Sequence, residues 1–567
     1  QANVPGGPLN DLVNVGGNLT LDGVVNVTQT PGGSFGPGVY RMFNYAGALT
    51  NNGLAIGAMP PGSDVFVQTA IAGQVNLANT AGLTLNFWDG SGQPKNDSVI
   101  QGGDGVWRVG GNQNDWTEVN GTVNADYAQA SFAIFQGTGG TVTVDNVGGN
   151  VLSAGMQFTV DGYAIAGGPL TLTGADAFVR VGDGTAADAG LTATIDATLA
   201  GSARLVKDLG GTLVLTGANT YTGGTAIDGG TLRIASDANL GDVAGGLSFG
   251  GGTLNTTASI ASARAVDLAG TGTFLTNGGT TLTLAGSIGG GGALTKAGAG
   301  SLVFTAANTY TGGTTINAGL LQIGDGGTSG SLTGDVTNNA SLAFNRSDLL
   351  TFAGAITGSG AVSQIGSGTT ILTGASNYGG GTTISAGTLQ IGNGGTTGSI
   401  AGNVLNNSAL VFNRSGTLTM GGAIIGGGSV TQAGPGTTIL TGNNSYAGPT
   451  SVGAGTLLIN GNQSGATGAT SVASGAALGG TGTIGGDVSI ADGGILAPGG
   501  TGGPGTLTIN GNLALGNTSQ LNFEFGQANV VGGAFNDLVN VGGNLTLDGV
   551  VNVTQTPGGS FGPGIYR

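Results

Sequence analysis

Two nested repeats dominate this chain and restrict what it can fold into more than any other property. The first is long. Gln1 to Arg41 recurs as Gln527 to Arg567, an offset of 526, with changes only at Pro5/Val531, Pro8/Ala534, Leu9/Phe535 and Val39/Ile565. The second is short and lies inside that unit: GANTYTGGTAIDGGTLRI (217–234), AANTYTGGTTINAGLLQI (306–323), GASNYGGGTTISAGTLQI (374–391) and GNNSYAGPTSVGAGTLLI (442–459). Tyr310, Tyr378 and Tyr446 recur at a constant spacing of 68, and Tyr221 lies 89 before Tyr310. Periods of this size mean that one small unit stacks on its neighbours, because such a unit cannot bury an apolar face alone.

The units read as short strands. Apolar residues alternate with Thr, Gln or Gly over three to five positions, as in Leu321-Gln322-Ile323 and Leu389-Gln390-Ile391, and Gly-rich corners separate the runs. Alternation bounded by Gly indicates strands, and no stretch sustains a helical period. The expected fold is all-β: a right-handed parallel β-helix (β-solenoid) with about three short strands per turn. Taking about 22 residues per turn, each 68-residue repeat would make three turns. Like residues of successive repeats would then form columns: Leu294/Val362/Val430, Phe304/Leu372/Leu440, Ile316/Ile384/Val452 and Ile323/Ile391/Ile459. Asn219, Asn308 and Asn444, with Ser376 in the third copy, hold equivalent corner positions beside Tyr221, Tyr310, Tyr378 and Tyr446. Their side chains are expected to stack or to satisfy corner backbone groups, as a structural ladder.

Three segments follow: 1–165, β-helical with a Trp-rich acidic insert at 86–136; 166–526, β-helical with the 68-residue period; and 527–567, the start of the next 526-residue unit.

Composition closes several functional classes. The chain has no Cys and no His, which removes the usual zinc ligands and imidazole-based catalysis. The net charge of −16, with only 12 Lys and Arg, repels phosphate backbones and anionic lipid. Neither nucleic-acid binding nor membrane insertion of this segment is expected, and no apolar run approaches the roughly 20 residues of a membrane helix. The 39% apolar content and mean hydropathy of +0.23 nevertheless allow a core. No cofactor is expected; the Gly- and Asp-rich nonapeptide of calcium-binding β-rolls does not recur.

The segment GGGGALTKAGAGSLVFTAANTYTGGTTINAGLLQIG (290–324), with similar copies at 201–234, 358–392 and 426–459, resembles the passenger-associated transport repeat of bacterial autotransporters. The lysine of Lys207 and Lys296 becomes Gln364 and Gln432 in the later copies. The stretch at 479–525, followed by 536–553, resembles the distal passenger region of the same family. The resemblance implies a right-handed parallel β-helix, export across the outer membrane, display on the surface of a Gram-negative bacterium, and often adhesion or biofilm roles. A membrane barrel like that of complete autotransporters is not apparent in this sequence. The implied function is a structural, non-enzymatic extracellular rod or filament segment. Its expected partners are copies of itself or adjacent tandem units, end to end or laterally, and surface glycans or host and abiotic surfaces.

The rival function is polysaccharide binding or degradation by the 86–136 insert. It holds Trp88, Trp107, Trp116 and Tyr127 among Asp89, Asp97, Asp104, Asp115 and Glu118. Aromatic faces can cover a sugar's C–H face while carboxylates accept its hydroxyls. Paired acids could cleave a glycosidic bond, but these spacings select no pair. The competing reading is that the rings pack in the core and the acids serve turns.

Overall fold

The computed structural model describes residues 11–30, 35–500 and 503–566; the remainder of the 1–41 copy, residues 1–10 and 31–34, lies outside them. The described residues contain strands and three short 3-10 turns, with no α-helix. They divide into two compact units, Gln1–Leu302 with Thr309–Gly312 and Val303–Asn308 with Gly313–Arg567.

In the first unit a parallel ladder climbs through Ser131–Phe135, Val151–Phe158, Asp176–Val181, Arg204–Asp208, Thr225–Ile227, Leu247–Phe249 and Val266–Leu268. A second climbs through Gly105–Arg108, Thr141–Asp145, Tyr163–Gly167, Thr192–Ile195, Thr212–Leu215 and onward to Leu294–Ala297. Alternation decides which side chains enter the core, and the register stacks them: Tyr163, Ala193, Leu213, Leu232, Leu254, Phe274 and Lys296 stand directly above one another, all buried.

The second unit repeats this design with three strands per turn. Ala409–Phe412, Thr417–Met420 and Ile424–Ile425 complete one circuit before Ser429–Gln432 pairs back onto Ala409–Phe412. Along that ladder Thr370, Leu389, Leu410, Val430, Thr450 and Thr470 are consecutive partners, so the numbering advances by 19 to 21 with each turn. The fold is a parallel β-solenoid.

The expected columns are wrong in one respect. With turns this short, a 68-residue repeat makes three turns and one further side, and each repeat begins one side later. Ile323 lies in the ladder of Leu320–Ile323, Ser341–Phe344 and Ala361–Gln364. Ile391 lies in the ladder of Thr369–Leu372, Thr388–Ile391 and Ala409–Phe412. Ile459 lies in a third, formed by Thr417–Met420, Thr437–Leu440 and Thr456–Ile459. Ile316, Ile384 and Val452 are separated in the same way, as are Val362 from Val430 and Leu372 from Leu440. The residues above and below Ile391 come from neighbouring turns instead. That column runs Ile391, Phe412, Gln432, Val452, Val472, Ile490 and Leu515.

Parallel pairing is also not universal. Gln74–Asn79 pairs antiparallel with both Gly38–Tyr45 and Val65–Gln68, and Leu85–Trp88, Trp116–Thr117 and Asn124–Ala125 form a second antiparallel set, a meander.

Candidate functional site

The antiparallel meander carries the residues with the most chemical variety. Trp88 ends Leu85–Trp88 directly opposite Trp116, and the same strand pairs in parallel with Ser131–Phe135. The meander therefore lies at the start of one ladder, and Gly105–Arg108, which bears Trp107, lies at the start of the other. All three indoles turn inward, with Trp88 and Trp107 at 0% exposure and Trp116 at 2%. Ring centroids lie 5.0 Å apart for Trp88 and Trp116, 5.1 Å for Trp107 and Trp116, and 4.8 Å for Trp116 and Tyr127. Phe135 sits under all three indoles and stacks on Phe158 at 4.9 Å. Tilted and edge-on contacts of this kind are the favourable aromatic geometries. Trp88 Nε1 donates to Gly103 O, and Tyr127 donates its hydroxyl to Ser131 O, both at 2.8 Å. Burial pushes the Tyr127 hydroxyl up to about 12.

This corrects the glycan-binding reading of Trp88, Trp107, Trp116 and Tyr127. Their faces are covered by one another, so no sugar can stack on them. The cluster is a plug of rings at the start of these two ladders; the parallel strands earlier in the chain, such as Val13–Val15 on Gly38–Tyr45, belong to separate sheets.

The acids are engaged in holding turns. Asp89, fully buried, accepts from Gln101 N and Asn124 Nδ2 at 2.9 and 2.7 Å, and burial raises its pKa despite those bonds. Asp115 accepts from Ser91 Oγ at 2.6 Å and lies 3.4 Å from Lys95 Nζ. Glu118 takes the Thr122 and Asn120 backbone N–H groups at 2.6 and 2.8 Å; burial raises its pKa, but these bonds and the Thr122 hydroxyl outweigh it and hold the carboxyl below its ordinary value. Asp97 binds Val99 N and Gln101 Nε2, and Asp104 binds Thr141 N; both are exposed. These side chains satisfy backbone groups of irregular corners, which would otherwise be left without partners.

The repeats carry a second constellation. At their Tyr corners, 217–224, 374–381 and 442–449, the chain forms no strand, but backbone bonds still join neighbouring turns, such as Thr220 N to Leu199 O, Asn377 N to Ile356 O and Ser445 N to Ile424 O. Side chains add to them. Asn219 Oδ1 accepts from Leu199 N at 2.8 Å, Ser376 Oγ from Ile356 N at 3.0 Å, and Asn444 Oδ1 from Ile424 N at 2.7 Å; each donor lies one turn earlier. Asn219 and Asn308 also reach one turn forward, donating to Asn239 O and Ser331 O. The amides thus satisfy corner backbone and do not stack on one another. The tyrosines are buried at these corners, Tyr310 included, and Tyr221, Tyr378 and Tyr446 each share a hydrogen bond of 2.7 Å with Thr225, Thr382 and Thr450. Burial raises the pKa of all three.

The Lys-to-Gln position is informative too, because it points into the core. Lys207 Nζ donates to Asp208 O, Leu209 O and Gly229 O at 2.8, 2.8 and 3.1 Å, and Lys296 Nζ donates to Ala297 O and Gly298 O at 2.8 Å. In the later copies Gln364 Nε2 donates to Gly366 O and Gly368 O, and Gln432 Nε2 to Gly434 O and Gly436 O. All four side chains do the same task, satisfying the inward carbonyls of a glycine turn. Burial pulls the lysines down, Lys207 to about 7 and Lys296 to about 8. The sequence signal was the position itself, which takes either residue because what it needs is a long side chain ending in N–H donors.

A further feature has no sequence motif. Arg180, 2% exposed, lies 3.4 Å from Asp208 and donates to Pro37 O, while Gln157 bonds both the N–H and the carbonyl of Val39. Together they clamp the 36–40 segment onto the solenoid wall.

The arrangement offers turn-holding acids and closed rings, with no cluster of three or more acids able to grip a metal among the described residues. The passenger-associated-transport-repeat family matches four segments, 205–234, 294–323, 362–391 and 430–459. The chain is also similar to a protein named Adhesin BmaC autotransporter, from Brucella suis biovar 1 (strain 1330). The two are 39% identical over 806 aligned residues, which cover 100% of this chain and 24% of that protein. The chain carries the repeats of autotransporter passengers. Passengers of this kind are displayed on the outer-membrane surface of Gram-negative bacteria. The chain spans about a quarter of the length of that relative.

Proposed function

We propose that this passenger segment is a non-catalytic adhesive spacer, which extends a filament from the cell surface and contributes to attachment and biofilm matrix. The observation that carries this reading is the allocation of its polar side chains. The buried amides, lysines and acids hold backbone groups of adjoining turns, while the outward strand positions are mostly Thr, Ser, Asn and Gly. Such a flank binds by repetition, many weak contacts adding through multivalency. The net charge of −16 is spread over 567 residues and screened beyond about 8 Å at physiological salt, which weakens repulsion between like surfaces.

The test is display of the passenger, behind a translocating barrel, on a non-adherent Gram-negative host. Adhesion to glass, to host cells and between bacteria is expected to rise over a barrel-only control. It is expected to survive Asp97→Asn and Asp104→Asn, the two exposed acids of the insert. Attachment equal to the control on every surface would overturn the reading.

A further inference from the structure

The segment LVNVGGNLTLDGVVNV occurs twice with identical sequence, at 12–27 and at 538–553, and the two copies are seen with opposite edges filled. At 538–553 it forms a turn whose strands pair backward: Leu538–Val541 on Thr506–Ile509, Leu545–Thr546 on Leu513–Leu515, and Val550–Gln555 on Gln520–Phe525. At 12–27 the same residues pair forward: Val13–Val15 on Gly38–Tyr45, Leu19–Leu21 on Leu49–Asn51, and Val24–Val25 on Ala55–Ile56. Each copy shows the half of the pairing that the other lacks.

The two halves match in detail. In the backward turn Leu538 pairs with Thr506, Leu545 with Leu513 and Val550 with Gln520, so the numbering advances by 32, 32 and 30. In the forward turn Val13 pairs with Phe43, Leu19 with Leu49 and Val24 with Ala55, an advance of 30, 30 and 31. Both circuits are longer than those of the repeats. The hydrogen bonds also continue: Gly543 N donates to Gly511 O, and Gly47 N donates to Gly17 O, the counterpart of Gly543. Asn512 Oδ1 receives Asn544 N at 2.7 Å, and Asn18 Oδ1, the counterpart of Asn544, receives Ala48 N at 2.8 Å. Asn522 Oδ1 receives Asn552 Nδ2 at 2.9 Å, and Asn26 Oδ1, the counterpart of Asn552, receives Ala58 N at 2.7 Å. Filling the edge buries some side chains: Leu21 is 2% exposed and its counterpart Leu547 63%, and Leu19 and Val25 are half-buried where Leu545 and Val551 are exposed, whereas Val13 and Val24 stay exposed.

We infer that the open edge of 538–553 is the docking surface for residues 42–58 of the second tandem copy, the one that 527–567 begins, so that the ladders run without a break from one 526-residue copy into the next. The occupant is defined by register: the second copy's Phe43, Leu49 and Ala55 lie against Val539, Leu545 and Val550. An exposed, apolar strand edge is a liability for any protein, and the arriving turn removes it. This assembly is independent of what the filament adheres to.

The experiment appends MFNYAGALTNNGLAIGA, the sequence of 42–58, to the C-terminus of the full chain, and compares it with a shuffled appendage of the same composition. Amide exchange of 539–551 is read by mass spectrometry. The native appendage is expected to slow exchange on the order of tenfold or more, the shuffled one to leave it unchanged, and Asn544→Ala to weaken the native effect. Equal protection by both appendages, or by neither, overturns the inference. The readout does not involve adhesion, so its failure is distinguishable from failure of the adhesive reading.

Discussion

The aromatic segment at 86–136 and the 68-residue repeats solve opposite problems with different residues. A repeat turn has a turn on either side, so its inward positions need only meet like neighbours; small and branched apolar side chains suffice, and polar ones are accepted where they can bind a glycine corner. The aromatic segment begins both ladders, and its inward face must be covered from within. Trp88, Trp107, Trp116 and Tyr127 fill that space with the largest rings in the chain, and antiparallel pairing lets Trp116 fold over Trp88. Propagation favours sameness, whereas termination requires bulk and a reversal of strand direction.

The widest separation between the two regions should appear on removing a ring. Trp116→Ala is expected to cost about 3–5 kcal/mol, as for other buried aromatic truncations, and to speed amide exchange in 85–135 while leaving the repeats protected. Simultaneous loss of protection across the repeats would show that the plug and the coil are one cooperative element.

Next in size is Asn444→Ala, which leaves Ile424 N without a partner in a buried corner. A loss of about 1–3 kcal/mol is expected, read as faster exchange at Ile424 and its neighbours. Asn444→Ser should restore most of it, since Ser376 holds the equivalent position in the preceding copy.

Lys207→Gln compares repeats directly. Burial holds Lys207 at about 7, below its ordinary 10.5, so between these values the unfolded chain carries a proton that the folded chain lacks. Stability of the first unit therefore rises with pH across that window, and the full burial penalty applies below about 7. The glutamine found in later copies should raise stability by about 1–2 kcal/mol at pH 6, with the gain fading by pH 10. Denaturation midpoints at the two pH values measure it; a gain independent of pH would refute the assignment. The smallest effect is expected of Tyr378→Phe, which deletes one hydroxyl contact with Thr382 and costs about 1 kcal/mol.

The class of fold was legible because alternation such as Leu389-Gln390-Ile391 reports a strand directly, and a period of 68 reports stacking. The length of a turn was not. It depends on corners such as 374–381, which occupy one side without forming a strand, and on strands as short as Ile424–Ile425. Neither leaves a periodic signal, so a turn of about 22 residues was as consistent with the sequence as the shorter one observed. The role of the tryptophans was ambiguous for a related reason. The composition of 86–136 suits a sugar-binding face and a packed cluster equally, and only the pairing of Trp88 with Trp116 turns both rings inward. The acids of WDG and NDW were legible as turn residues, and they hold turns.

The mismatch between repeat and turn has a consequence for anything that must recognise this surface. Because the copy at 430–459 starts one side later than the copy at 362–391, the two present the same motif at different compass bearings. A flat opponent can touch only one of them at a time, whereas opponents arriving from two directions can each meet the same motif.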